Sequence, residues 1–282
     1  MSDATVVGCD GTVSPLTRQE FEQIRQLAYS KFGLALHDGK EHLVSARLSK
    51  QMRNSRFRTF REYYRHVVED STGQALAALI DALTTNFTSF FREPDHFDFL
   101  RSQILPGWRD RASIPIWSAA CSTGEEPYSL AVCLLEELGQ GAAAKLRILA
   151  TDISNRALAV ARDAKYPAER FSAFTPDMLR QYLLRGKGKS EGWYRFAPAV
   201  TSAVSFERLN LIEPYTHRER FPLILCRNVM IYFDKATQAN VVNKLAACLE
   251  PGGYLFIGHS ESLSGIDTPL KYVKPAIYRR LP

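Results

Sequence analysis

From residue 114 onward the chain alternates short, wholly apolar segments with stretches of helical period, and each apolar segment ends in polar or charged residues. Residues 114–119 (IPIWSA), 146–150 (LRILA), 204–209, 221–226 (FPLILC) and 254–258 have the length and burial signature of strands. Helices are expected from Pro127 to about Leu138, from the Ser154 cap through Ala164, and over 235–249, with Pro127 at a first helical position. Strand–helix alternation of this kind gives a mostly parallel sheet covered by helices. Two last strands, near 272–273 and 276–279 and separated by Lys274-Pro275, read as an antiparallel hairpin at one edge. In such sheets ligands bind at the carboxyl ends of the strands. The residues found there are Ser118 to Glu126, Asp152, Asn210 and Arg227-Asn228, which points to one pocket.

The loop after the first strand restricts the ligand's charge. A phosphate-binding turn offers glycines and bare N–H groups at a helix start. The loop CSTGEE has one glycine, Gly124, followed by Glu125 and Glu126, and the chain has neither GxGxxG nor GxxxxGK[ST] there. Two carboxylates repel a pyrophosphate and suit either the helix dipole alone or a cationic ligand. Asp152 stands where nucleoside-binding sheets hold ribose hydroxyls; it can equally make an Asx turn beside Ser154.

Ahead of this region the period is helical. Residues 1–15 read as a loose tail, 16–70 as a helical domain, 71–85 as a linker containing a connecting helix over 74–83, and 86–282 as the sheet domain. Thr17 and Glu20 form a capping-box signature before the stripe Phe21, Ile24, Leu27 and Ala28. Further helices are expected near 40–54 and 59–69. The net charge is +6, and its excess lies in the N-terminal quarter: Lys40, Arg47, Lys50, Arg53, Arg56, Arg58, Arg61 and Arg65 face only Glu41 and Glu62. At about 100° per residue, Arg47, Lys50 and Arg53 share one helix face. Such a face is either simply solvated or docks an acidic partner. No apolar run approaches the roughly 20 residues that cross a bilayer, and no secretory signal is read at the N-terminus. The five cysteines, at 9, 121, 133, 226 and 248, form no CxxC pair or metal-ligand spacing. They read as free thiols in a reducing, cytoplasmic setting.

Six segments carry a specific resemblance: ALTTNFTSFFREPDHF (82–97), WSAACSTGEEPYSLA (117–131), ATDISNRAL (150–158), FERLNL (206–211), CRNVMIYFDKATQ (226–238) and GYLFIGHSESL (253–263). In order and spacing they resemble the CheR family of chemotaxis receptor methyltransferases, over nearly the whole chain. The resemblance implies an all-helical N-terminal domain and a Rossmann-like class I methyltransferase domain, with a small antiparallel β subdomain inserted at about 171–200. It implies S-adenosyl-L-methionine as cofactor, leaving S-adenosyl-L-homocysteine. The implied cofactor contacts are Asn86, Thr88, Arg92, Glu126, Asp152, Asn210, Leu211, Arg227 and Asn228. Arg92 can fork onto the cofactor carboxylate, Glu126 can pair with its ammonium, Asp152 can take the ribose, and Asn210 with Leu211 can frame the adenine. Cys121 departs from the family's small residue at that position, and a thiol beside the cofactor can make activity oxidation-sensitive. In the insert, Arg185, Gly186, Gly188 and Gly192 resemble the members that bind a C-terminal receptor pentapeptide by strand addition.

The implied reaction is methylation of receptor glutamates. Methyl transfer from a sulfonium is an in-line displacement, and a glutamate acceptor, with a reference pKa of about 4.3, is already ionised near neutrality. No general base is needed; Arg92 and Tyr232 are the candidates for positioning the reacting groups, and His259 reads as structural. The partner implied is the acidic helical bundle of a receptor, docked by the Arg47, Lys50 and Arg53 face of a monomer with no membrane insertion and no nucleic-acid partner. A nucleic-acid methyltransferase is the alternative suggested by the basic charge, but no flipped-base tetrad or interleaved stacking aromatics accompany it. A silent cofactor-binding scaffold would lack Arg92 or Asp152, and both are present.

Overall fold

The computed structural model describes residues 13–53, 55, 57–84 and 87–281, divided into two compact units between Thr85 and Asn86. Cys9, Arg56 and Asn86 lie outside the described residues.

The first unit contains α1 (Arg18–Phe32), α2 (Glu41–Arg53), α3 (Phe60–Glu69) and α4 (Gln74–Leu83). Full capping boxes start α1 at Thr17/Glu20 and α3 at Thr59/Glu62. Phe21, Ile24 and Ala28 of α1 are buried, as are Val44, Leu48 and Met52 of α2 and Phe60, Tyr63 and Val67 of α3. The stretch 71–85, expected as a linker, is mostly α4, and α4 packs on α2 and α3 through a buried face that includes Leu79, Ile80 and Leu83. Its start is fixed by Asp70, whose carboxylate accepts from the amides of Thr72 (2.9 Å) and Ala75 (2.7 Å). These bonds hold the Asp70 carboxyl down at about 2. The end of the expected tail is also tied down, since the Ser14 amide donates to the Arg58 carbonyl at 2.9 Å.

The second unit opens with α5 (Pro94–Phe99), continued by a π turn and a 3-10 turn as far as Trp108. There follow β1 (Ile114–Ser118), α6 (Glu125–Leu138), β2 (Leu146–Asp152), α7 (Asn155–Asp163), β3 (Lys165–Pro167), α8 (Pro176–Tyr182), β4 (Leu183–Arg185), β5 (Trp193–Phe196), α9 (Pro198–Thr201) and β6 (Val204–Arg208). The chain ends through β7 (Phe221–Cys226), α10 (Lys235–Cys248), β8 (Leu249–Ile257), β9 (Leu270–Lys274) and β10 (Ile277–Arg280). Seven strands form one sheet in the order β6-β2-β1-β7-β8-β10-β9. The first five are parallel, and β10 runs antiparallel to β8 and β9, giving the Rossmann-like sheet with the expected edge hairpin.

Central strands buried on both faces need no alternation of polarity, and β1 and β7 are buried at every position. Their side chains divide between two cores: Leu223 and Leu225 pack on the α6 side, while Ile224 and Cys226 pack on the α10 side. Pro115 is tolerated in β1 because pairing with β7 begins only at Ile116.

Three boundaries differ from expectation. α6 begins at Glu125, so Pro127 is the third helical residue; its missing N–H belongs to the first turn, where no intrahelical partner exists. β8 runs through the Pro251-Gly252-Gly253 segment, with a register shift against β7 between Phe221 and Leu223. The inserted subdomain is a three-stranded sheet, β3-β5-β4, that starts at Lys165 rather than near 171. Its first strand has three residues, too few to show a period. The insert's apolar side, including Tyr166, Phe171, Phe174 and Phe196, shares one core with α6.

Candidate functional site

Sheet order reverses at β1, whose neighbours are β2 on one side and β7 on the other, so a crevice is expected beyond its carboxyl end. Gly124 shapes the β1–α6 loop. Its φ is 98°, and a Cβ there would lie 2.7 Å from the Tyr166 hydroxyl and 2.9 Å from Ala161 Cβ. The loop is pinned to β2 by Asp152. One carboxylate oxygen of Asp152 accepts from the Ser122 amide at 2.8 Å, the other from the Ser154 amide at 2.9 Å. The second bond is the Asx turn foreseen as one reading, and Ser154 itself caps α7 through the Ala157 amide at 2.9 Å. A carboxylate oxygen can accept more than one hydrogen bond, so a carboxylate aimed by backbone amides in this way can also meet a diol.

Arg227, at the end of β7, is the centre of a buried ion network. Its side chain is 2% exposed and reaches Glu93 at 3.0 Å and Glu126 at 3.1 Å. It also donates to the Arg92 carbonyl. Glu126 accepts from the Ser118 hydroxyl at 2.7 Å. Burial pushes the Glu126 carboxyl up, and Arg227 only partly offsets this. Burial also acts on Glu93, but there the Arg227 charge and the bonds from the His259 amide, Arg227 and Asn228 prevail and hold the carboxyl below its usual range. Asn228 follows with φ 58°, its amide N–H held by Glu261 at 2.9 Å. Glu261 also takes the amides of Gly258 (2.6 Å) and Ile231 (3.2 Å), which sets the path of the chain past β7 and β8.

Glu93, His96 and His259 bring ligand-type atoms within 4.8 Å of one another. Glu93 already accepts from the Asn228 side chain, the His259 amide and two Arg227 nitrogens, and a fixed guanidinium stands where a cation would have to bind. The trio is therefore a structural ion network rather than a metal centre. His96, 1% exposed and stacked on Phe256 at 4.9 Å, has its pKa pushed down to about 3 by burial and then by Arg227. Since the unfolded imidazole protonates near pH 6.5, the unfolded state alone gains a proton between about pH 6 and 3. Stability is expected to fall there by up to about 1.4 kcal/mol per pH unit from this group. Urea unfolding of His96→Phe across that range should show a correspondingly flatter pH dependence.

The remaining expected site residues are placed as follows. Arg92 is half-buried, donates to the Phe87 carbonyl at 2.9 Å and lies 5.9 Å from that ring's centroid. Thr88 is buried. Asn210 is buried, with its amide nitrogen on Glu213 at 3.0 Å and its oxygen taking the Ile212 amide at 3.3 Å; the Leu211 carbonyl accepts from Lys244. Tyr232 is half-buried in the turn Met230–Tyr232. The structure thus gathers Arg92, Glu126, Arg227 and Asn228 about one network and places Asp152 across the same loop. Glu93 and Glu261 were not singled out from sequence, although both lie within the quoted segments, whereas Ser118 and Ser122 fall in the strand-end stretch Ser118 to Glu126 that was. Cys121 is buried, and its thiol is pushed well up by burial and then by Asp152 and Glu126, which keeps it protonated and weakly nucleophilic. This runs against the expected sensitivity to oxidation.

On the first unit, Lys50 and Arg53 are exposed on α2, whereas Arg47 is half-buried and donates to the Leu83 carbonyl at the end of α4. In the insert, Arg185 ends β4 and is exposed, and Gly186 lies against the Ser190 carbonyl too closely for any Cβ. Gly188 and Gly192 complete that turn.

The site residues are compatible with S-adenosylmethionine: two carboxyls, Glu93 and Glu126, share the single guanidinium of Arg227, which leaves acidic character for a cationic donor, and a carboxylate aimed by two amides, as Asp152 is, suits a diol. The chain matches the family model "CheR methyltransferase, SAM binding domain" over residues 86–278, and "CheR methyltransferase, all-alpha domain" over residues 19–84. A chemotaxis protein methyltransferase of Borreliella burgdorferi is 38% identical over 94% of this chain and 95% of its own length. Chemotaxis protein methyltransferase 2 of Pseudomonas aeruginosa is 38% identical over 93% of each chain. The chemotaxis protein methyltransferase of Escherichia coli is 38% identical over 89% of this chain and 87% of its own. With both units matched in order, the chain belongs to the CheR methyltransferase family and is an S-adenosylmethionine-dependent methyltransferase.

Proposed function

We propose that this enzyme methylates glutamate side chains on the cytoplasmic helical bundle of chemotaxis receptors, forming methyl esters that serve sensory adaptation. The observation that carries this reading is the match of both units, in order, to chemotaxis protein methyltransferases. His96, the buried imidazole beside the ion network, is held neutral down to about pH 3. A hydroxyl or amine acceptor has to lose a proton during transfer, whereas a glutamate carboxylate is ionised beforehand. The names of the relatives supply the chemotactic setting.

The bound donor supplies an electrophilic methyl group on a sulfonium. Glu126 pairs with its ammonium and Asp152 holds its ribose. Arg92, with Tyr232 after the β7 end, orients the carboxylates. Holding donor and acceptor in line can contribute several kcal/mol, up to about 7–11 in the best cases. Lys50 and Arg53 supply the basic face for the acidic bundle, with Arg47 supporting that face from its bond to α4. The edge strand β4 and its glycine turn offer backbone groups to an extended receptor tail. Among the described residues no helix is long and apolar enough to cross a membrane, so location at receptor arrays rests on these contacts.

The test is transfer of a labelled methyl group to receptor-bearing membranes. Label released as methanol by mild alkali is the expected result. Alkali-stable label, or label incorporated into nucleic acid instead, would overturn the glutamate assignment.

A further inference from the structure

The inserted subdomain meets the loops of the donor site through several side chains, of which Arg170 carries a charge. Arg170 stands in the single 3-10 turn Ala168–Phe171 between β3 and α8. Its Nη2 donates to the Thr88 carbonyl at 2.7 Å and to the carboxylate of Glu125. Glu125 is 1% exposed, at the first position of α6. It also accepts from the Thr123 hydroxyl at 2.6 Å. The Glu125 carbonyl takes the Ser129 hydroxyl at 2.7 Å, and that hydroxyl in turn accepts from the Phe91 amide at 2.9 Å. Two cross-ties therefore join the first loop to the 87–92 segment, one through Ser129 and one through Arg170.

We propose that Arg170 is a positioning residue for the methyl donor, fixing the Thr88 carbonyl and with it the 87–92 segment from the inserted sheet. The inference rests on reading Thr88 and Arg92 as donor contacts. Neutralising Glu125 requires a cation but no second bond, and Arg170 makes that second bond. Residues 87–89 belong to no helix or strand, so the carbonyl of buried Thr88 has no ladder to satisfy it. Neighbouring contacts make the seam rigid. The Phe90 ring stacks on Phe171 at 4.7 Å, and the Tyr166 hydroxyl donates to the Thr123 carbonyl at 2.6 Å. The order of the inserted sheet and the geometry of the donor site are thereby linked through side chains that need not touch the donor.

The experiment is steady-state kinetics and chemical unfolding of the full chain carrying Arg170→Met, Arg170→Lys, Arg170→Met with Glu125→Gln, and Arg92→Ala. Loss of a bond from a charged donor to Thr88 should raise the KM for S-adenosylmethionine about tenfold, leaving acceptor KM and kcat within about twofold. Lysine, which keeps one donor and the charge, should recover part of the affinity and keeps the test open if Arg170→Met does not fold. The double variant removes the unpaired buried acid, so it should regain stability while its donor KM stays high. Donor KM returning to wild type together with stability would show that Arg170 only neutralises Glu125, and would overturn the proposal. So would an unchanged donor KM in both single Arg170 variants when Arg92→Ala raises it. If Arg92→Ala also leaves it unchanged, the reading of the 87–92 segment as donor-binding fails as well.

Discussion

Asp152→Asn should weaken S-adenosylmethionine binding by roughly 30- to 100-fold, about 2–3 kcal/mol, the scale of charge-assisted bonds to a ribose diol. The size of the effect follows from how the carboxylate is held. Each oxygen is already aimed by a backbone N–H, from Ser122 on one side and Ser154 on the other. A ligand arriving at this carboxylate spends little free energy on ordering it. Asparagine replaces one oxygen by an NH2 group, which must then face either the Ser122 or the Ser154 N–H, donor against donor. The side chain is displaced, the β1–α6 loop keeps its Cys121–Thr151 backbone bond to β2 but loses the one through Asp152, and the diol loses an anionic acceptor. Asp152→Glu keeps the charge but shifts the oxygens, so it should bind weakly too. Calorimetric titration with S-adenosylhomocysteine measures this directly. A dissociation constant within about threefold of wild type for Asp152→Asn would remove Asp152 from the ribose site.

The largest loss of stability is expected from Arg227→Met, about 3–5 kcal/mol, because it strands two carboxylates in a buried site. Glu93 and Glu126 both point at this guanidinium, and a domain of ordinary stability has only some 5–15 kcal/mol to lose. Lysine cannot rescue it fully. One ammonium has no planar fork with which to meet Glu93, Glu126 and the Arg92 carbonyl together. The pH dependence has a definite sign. In the wild type Arg227 holds Glu93 below its usual range, so that contribution is present at neutral pH and is lost on acidification through the lowered pKa. Without the arginine, burial raises both carboxyls; the folded state then prefers them protonated and loses stability as pH rises. The deficit of Arg227→Met should therefore be larger at pH 8 than at pH 5 in urea unfolding. Adding Glu93→Gln and Glu126→Gln should recover much of the stability and none of the donor affinity. A deficit independent of pH would mean that lost packing, and not stranded charge, is what the substitution removes.

The parallel sheet was legible because β1 and β7 are buried at every position, and a strand covered on both faces shows itself as an unbroken apolar run. The gathering of Glu126, Arg227 and Asn228 near one another follows for a related reason: the ends of parallel strands face the same side of the sheet whatever the intervening helices do. Elements too short to carry a period were read less well. β3 has three residues, so the insert was placed too late in the chain. α4 was recognised as a helix but assigned to a linker. Its membership of the first unit depends on packing against α2 and α3, which spacing along one helix cannot reveal. The ion network was not legible at all. Arg227 and Glu93 are 134 positions apart and Arg227 and Glu126 are 101 apart, and no local pattern couples them. Arg47 shows the reverse error: its helix face was read correctly, but its guanidinium serves the α4 end.

The insertion of β3, β4 and β5 between β2 and β6 has a consequence for how the polypeptide is made. β6 closes the outer edge of β2, yet it leaves the ribosome only after the whole inserted sheet has been translated. β7, which closes the other edge of β1, emerges later still. A nascent β1–β2 pair therefore waits with both margins open, a state prone to mispairing with other chains. The inserted sheet shares its core with α6, which is made before it, so early docking of the insert on α6 would shorten that wait.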